Sequence, residues 1–369
     1  MTTISFPGLG IEEFTLDSIA IPIGDGGIRW YALFIVLGMI FAVIYCSWRA
    51  KGEGISSDTM LDFAIFTIPM GVIGTRLFYV FFDWVDIMVN HKPNPYESFI
   101  DVIAIWNGGL AIYGGIIFGT ITIFVVAKVK KMSRNTLLKI TDAAAPGVMI
   151  AQSLGRWGNF FNGEAYGTPT SLPWRMCSDK FAQRLYSQGL INRDTAYQML
   201  DGTLGVHPTF LYESLWNVIG FILINIAYKK KRFDGQIMLM YFTWYGFGRM
   251  FIELLRTDSL TNGSNIRISS LIGLLSFIVA GSLLLYLFIH NKGNKTYASD
   301  VIAAAAVEAE NVEDGAQDIS ESTETDENEN ESDDAPPIEN TDTESADDTE
   351  DTTTENTESS EENNDGKID

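Results

Sequence analysis

Gly155-Arg156-Trp157-Gly158-Asn159-Phe160-Phe161-Asn162-Gly163-Glu164-Ala165-Tyr166-Gly167 packs an arginine, two asparagines, a glutamate and four glycines into thirteen residues. Apolar sequence flanks it: residues 146–154 precede it, and apolar helices resume after Pro208. Polar, glycine-broken backbone at membrane depth is tolerated only where protein or a water-filled cavity encloses it. An arginine and a carboxylate there are costly and mark functional sites. The stretch therefore reads as the floor of an active site, and the rest of the chain as its housing.

Working outward, apolar segments are predicted to span a bilayer at 30–48, 59–82, 108–127, 137–154, 209–228, 236–255 and 268–289, each near the ~20 residues required. The fourth is the weakest, because it holds Asp142 and Pro146. The expected fold class is an all-α integral membrane protein of about seven transmembrane helices. Residues 1–28 read as an extracytoplasmic or interfacial segment, 29–295 as the catalytic membrane domain, and 168–206 within it as a small extracytoplasmic head. Lys and Arg cluster after spans one, three, five and seven: Arg49 and Lys51; Lys128, Lys130, Lys131 and Arg134; Lys229 to Arg232; Lys292 and Lys295. The positive-inside rule makes those ends cytoplasmic. It places the N-terminus, the central motif and the head outside, and the C-terminus in the cytoplasm. With no basic stretch ahead of an apolar core at the N-terminus, no cleavable signal peptide is expected.

The charge is segregated. Of 47 acids in 369 residues, 27 lie in 300–369 with a single lysine, so the formal −22 belongs to the tail and the body is slightly basic. Residues 296–369 cannot bury enough apolar surface to offset chain entropy and are predicted to be a disordered, acidic, cytoplasmic tail. Cys46 and Cys177 lie in an apolar and a polar run, which argues against a disulfide, and no CxxC spacing occurs. His91, His207 and His290 are too dispersed to suggest a metal site. Neither metal nor nucleic acid is an expected partner.

Four blocks carry candidate chemistry. Tyr245, Arg249, Glu253 and Arg256, at offsets of four, eight and eleven, share one ~80° stripe of a helix. Arg156 adds a third guanidinium, whose planar fork suits a phosphate. The competing reading is a structural salt-bridge network with Glu164, Glu213 and Glu253. Three acids balance three bases, so the sequence leaves both readings open. Trp106-Asn107-Gly108-Gly109-Leu110-Ala111-Ile112-Tyr113-Gly114-Gly115 opens span three, with Tyr113 either a packed phenol or a proton acceptor. His207-Pro208-Thr209-Phe210-Leu211-Tyr212-Glu213 opens span five, where Tyr212 and Glu213 can bond the central motif. Lesser signals are Arg29-Trp30-Tyr31 and Gly74-Thr75-Arg76-Leu77, and Gly246 and Gly248 as sites of close helix packing.

These blocks resemble bacterial prolipoprotein diacylglyceryl transferases. Gly-Arg-x-Gly-Asn-Phe-x-Asn-x-Glu-x-x-Gly at 155–167 is similar to that family's signature. The blocks at 106, 207 and 246 follow in the family's order across roughly 29–290. The resemblance implies transfer of the diacylglyceryl group of phosphatidylglycerol to the lipobox cysteine thiol of an exported prolipoprotein. A thioether forms and glycerol phosphate leaves, in the first step of lipoprotein maturation, with no cofactor. By position, Arg156 and Arg249 correspond to that family's essential arginines. Attack of sulfur on carbon expels a phosphate that gains charge, so Arg156, Arg249 and Glu253 are expected to be catalytic, the arginines stabilising the leaving phosphate with Glu253 and Glu164 fixing their orientation. Tyr31, Asn159, Asn162, Glu164, Gly167, Tyr245, Arg256, Glu213 and Arg76 are expected to contact substrate. Tyr113 stands where many relatives carry histidine, and a phenol, which ionises near pH ~10, is a poor base.

Overall fold

The computed structural model describes residues 2–24, 26–91, 94–96, 98–105, 108–257 and 267–291. The predicted acidic tail, Trp106 and Asn107 lie outside these residues. Among the described residues seven long helices dominate: α1 (Trp30–Lys51), α2 (Ser57–Asn90), α4 (Ile112–Val129), α5 (Arg134–Asn162), α8 (Thr209–Tyr228), α9 (Gln236–Leu255) and α10 (Ile268–His290). Three short ones, α3 (Phe99–Ile103), α6 (Asp179–Ser187) and α7 (Arg193–Leu200), lie between them.

Five of the long helices, α1, α2, α4, α8 and α10, are long and apolar enough to cross a membrane. Their outward faces remain bare: Ile44, Ile65, Phe124, Ile226 and Val279 are each at least 55% exposed, as lipid-facing side chains are. The chain is a multi-pass membrane protein. α5 and α9 fall short of the same standard because they carry the polar residues of the central motif and of the arginine stripe. α2 is 34 residues long, or ~51 Å at ~1.5 Å per residue, well beyond a ~30 Å hydrocarbon core. It absorbs the start of the expected loop after residue 82.

The helices approach closely through small residues. Gly74 and Gly114 face each other between α2 and α4, where an added Cβ would lie 2.7 Å or less from backbone oxygen. Gly246 meets Gly273 between α9 and α10, as expected of a packing glycine. Gly248 admits Trp216 of α8, and Gly220 admits Trp244 of α9. These two indoles stack at 4.1 Å, and each donates its Nε1–H to the other's backbone carbonyl, at 3.0 and 2.9 Å. That reciprocal clasp sets the register of α8 against α9.

The basic ends of the helices meet at one end of the bundle. Lys231, 1% exposed, sits among Glu53 at 2.8 Å, Asp142 at 3.0 Å and Asp234 at 3.2 Å. Burial opposes its charge, but Asp142 and Glu53 together hold its pKa above the ordinary lysine value. Asp142, the residue that weakened the fourth span in sequence, accepts the Gly235 and Met238 N–H groups at 2.7 and 2.9 Å. It supplies α9 with the N-terminal cap that its own sequence lacks.

An all-α reading is incomplete in one respect. The N-terminal residues form two hairpins, β1 (Thr2–Phe6) with β2 (Ile11–Leu16) and β3 (Ile19–Ile23) with β4 (Gly26–Arg29). β5 (Pro169–Thr170) pairs with β6 (Gly205–Val206). Ile4 and Leu16 of the first hairpin share a core with Phe160, Tyr166, Phe181, Leu185, Met199 and Phe210. The segment read as interfacial is thus part of a small packed unit with α6 and α7. Cys177 belongs to this unit and Cys46 to α1, each a free buried thiol.

Candidate active site

The central motif is not the broken backbone its glycines suggested. α5 continues through it to Asn162, and Gly163 ends the helix in the left-handed conformation at φ 63°. Its N–H returns to the Asn159 and Phe160 carbonyls, the usual glycine termination. The helix places Arg156 and Asn159 on neighbouring turns, and Arg156 Nη1 donates to Asn159 Oδ1 at 3.3 Å. The chain then doubles back. Ala165 takes φ 56°, its carbonyl held by the buried Thr209 hydroxyl. Gly167 donates to the His207 carbonyl at 2.8 Å and bridges to Arg256. A Cβ at Gly167 would meet His207 Cβ at 2.7 Å and the Leu255 carbonyl oxygen at 2.9 Å, so only glycine lets these three segments converge.

Glu213 is the hub of that convergence. It is 4% exposed and one turn into α8. Arg156 Nη2 meets its Oε2 at 2.6 Å. Arg249 Nη1 spans both carboxylate oxygens at 3.0 Å, and Arg256 Nη1 lies 3.5 Å from Oε1. Glu253 takes Arg249 Nη2 at 2.6 Å and lies 3.9 Å from Arg256. Three guanidiniums from α5, α9 and the residue after α9 are therefore gathered on two carboxylates. The Arg156 and Arg249 side chains keep 20% and 15% exposure.

Two expectations about this cluster need correction. Arg256 is not on the helical stripe: α9 ends at Leu255, and Arg256 is extended at φ −77°, ψ 146°, because residues 166–168 pair with it and its neighbours. Glu164 does not touch Arg156 either. Its Oε1 accepts the Asn159 and Asn162 amides at 3.0 and 3.1 Å, so it acts on Arg156 through Asn159. Glu213 holds the arginine that Glu164 was expected to orient.

Other expected site residues have partners of their own. Tyr31 packs on Gly158, where a Cβ would meet its ring at 2.8 Å, within a turn of Arg156. Tyr245 stacks on Tyr241 with centroids 5.8 Å apart, one turn before Arg249. The Tyr113 hydroxyl pairs with Ser269 of α10 at 3.3 Å. Burial holds His207 below the ordinary imidazole range, and its Nδ1 lies 3.2 Å from the Tyr212 hydroxyl.

Arg76 is a different case. It donates to the Val102, Gly108, Gly109 and Asp101 carbonyls at 2.8, 2.7, 3.1 and 2.6 Å. Four of its five N–H groups serve the segment entering α4, which makes it a brace for that segment. Arg76→Lys keeps the charge but not the fork. It should cost about 2–3 kcal/mol and raise amide exchange at residues 101–105 and 108–109. Unchanged exchange there would show that the brace is dispensable.

Sequence reasoning passed over Arg267, which donates from Nη1 to the Glu253 carbonyl. The available signal was an arginine opening an apolar helix at the end of the bundle opposite the basic clusters, where cations are depleted.

Apolar-faced helices surrounding an internal arginine–glutamate centre define an integral membrane protein whose polar chemistry lies within the bundle. The chain belongs to the prolipoprotein diacylglyceryl transferase family, whose model matches residues 18–286. Phosphatidylglycerol–prolipoprotein diacylglyceryl transferases of Streptococcus equi subsp. zooepidemicus (strain MGCS10565) and Streptococcus pyogenes serotype M1 are similar to it. Each is 40% identical, over 268 and 266 residues, covering 72% of this chain and 93% and 92% of their own lengths.

Proposed function

We propose that this enzyme transfers the diacylglyceryl group of phosphatidylglycerol to the lipobox cysteine of a prolipoprotein. In this reading α5 and α9 join the five apolar helices as spans, giving seven. The basic bundle end faces the cytoplasm, and the N-terminus and the unit at 168–206 face outward. Residues 296–369 follow as a cytoplasmic tail.

The observation that carries the reading is the gathering of Arg156, Arg249 and Arg256 on Glu213. In the reaction a cysteine sulfur attacks an sp³ glyceryl carbon. A C–S bond forms as the C–O bond to phosphate breaks, and the oxygen keeps the electron pair. The thiol proton is lost to an acceptor, and glycerol phosphate leaves. Charge grows on the phosphate, so cations fixed around it lower the barrier. Arg156 and Arg249 fill that role, with Glu213 and Glu253 holding their forks in place. The same cations favour the thiolate. Asn159, Asn162, Glu164, Gly167, Tyr31, Tyr245 and Arg256 shape the surrounding pocket.

Full-length protein in detergent, given labelled phosphatidylglycerol and a lipobox peptide, should release glycerol phosphate and add the diacylglyceryl mass to the cysteine. Absence of both products under turnover conditions would sink the reading. Tyr113→Phe isolates the phenol. Among the described residues its hydroxyl bonds Ser269 and no arginine, so the variant should turn over within about fivefold of the parent, as expected from loss of one ~1 kcal/mol hydrogen bond. A loss beyond 100-fold with an altered pH–rate profile would make Tyr113 the proton acceptor.

A further inference from the structure

We propose that Arg267 belongs to the phosphate site and supplies its surplus positive charge; the proposal rests on the transferase reading above.

Three bases and three acids left the sequence in balance. The structure breaks the tie. Arg156, Arg249 and Arg256 face Glu213 and Glu253, with Glu164 one step out on the asparagine amides. Arg267 enters the same assembly through the Glu253 carbonyl. Among the described residues, four cations face three carboxylates, an excess of one positive charge of the size a phosphodiester's single negative charge would meet.

A plain structural explanation fits poorly. The Glu253 carbonyl already accepts the Arg256 N–H at 3.2 Å, so α9 does not need Arg267 to close its last turn. At its own position Arg267 is the residue before α10, with φ −78°, ψ 109° and no side-chain cap. Ser, Thr, Asp or Asn is favoured there, and a cation at the positive end of a helix dipole is disfavoured by about 0.3–1 kcal/mol. A residue that breaks local rules beside a polar centre is where function is expected to override stability. Arg76 provides the contrast: four carbonyls occupy its fork. Among the described residues, the Arg267 guanidinium has the Glu253 carbonyl alone as a hydrogen-bond partner, leaving N–H groups for an anion.

The test uses full-length protein with phosphatidylglycerol and a lipobox peptide, and reads kcat, KM and inhibition by added glycerol phosphate. Arg267→Gln should weaken glycerol phosphate inhibition and lower kcat/KM by about 10-fold or more, the scale of one charge-assisted hydrogen bond. Arg267→Lys should recover most of both. Arg267→Met keeps the aliphatic stem and serves if the glutamine variant does not fold. Inhibition within twofold of the parent in a folded neutral variant would overturn the proposal while leaving the transferase reading intact. Failure of both neutral variants to fold, with Arg267→Lys like the parent, would also overturn it, by making the residue a structural cap. A parent that releases no glycerol phosphate would remove the transferase reading and the proposal together.

Discussion

Arg156→Lys is expected to lower the rate of lipoprotein modification by at least about 100-fold, the scale for losing one donor aimed at a developing oxyanion. The substitution keeps the charge, so the effect isolates geometry. Arg156 divides its fork between Asn159 on its own helix and Glu213 on α8. One planar group thereby fixes two elements while 20% of its side chain stays exposed, as the proposed phosphate contact requires. An ammonium offers three donors on a flexible stem and cannot hold both contacts in one plane. Phosphatidylglycerol turnover and peptide mass in the purified variant give the readout, and thermal stability controls for folding. Near-parental turnover would show that charge alone suffices and that the bidentate role is wrong.

Glu213→Gln should damage both stability and activity. The carboxylate is 4% exposed and contacts three guanidiniums. Glutamine keeps its size but removes the negative charge, leaving Arg156, Arg249 and Arg256 close together with Glu253 as the carboxylate still in contact with Arg249 and Arg256. Breaking a buried ion pair by removing one partner costs about 3–5 kcal/mol. The loss should appear as a lowered unfolding temperature in detergent and as turnover reduced by about 100-fold or more. Glu213→Asp keeps the charge on a shorter arm and should recover stability before activity. A glutamine variant with parental stability and turnover would mean that the arginines hold their places without the hub.

Much of the scaffold was legible in one dimension. Runs of apolar residues from Trp30, Ile112, Thr209 and Ile268 become helices at nearly the expected places, because hydrocarbon forces every backbone polar group to be satisfied within the segment. Gly246 was identified as a close-packing position for the same kind of reason: a missing side chain is visible in sequence. Residues 155–162 read as irregular in sequence because the four glycines of 155–167 outweigh a helical pattern that packing against α1 and α8 restores. The hairpins at the N-terminus were missed because strands of four to six residues carry little periodic signal.

Residue types and spacing determined that the chain is membrane-embedded and singled out Arg156, Arg249 and Glu253, because charged groups in apolar sequence are costly and persist only where they have partners or a task. The tertiary structure decided which charges meet. Glu213 rather than Glu164 holds Arg156, Arg76 serves the backbone, and Arg267 joins the cluster. No spacing rule reaches those outcomes, because each joins a guanidinium to a group on another segment of the chain, and electrostatic energy depends on separation in space.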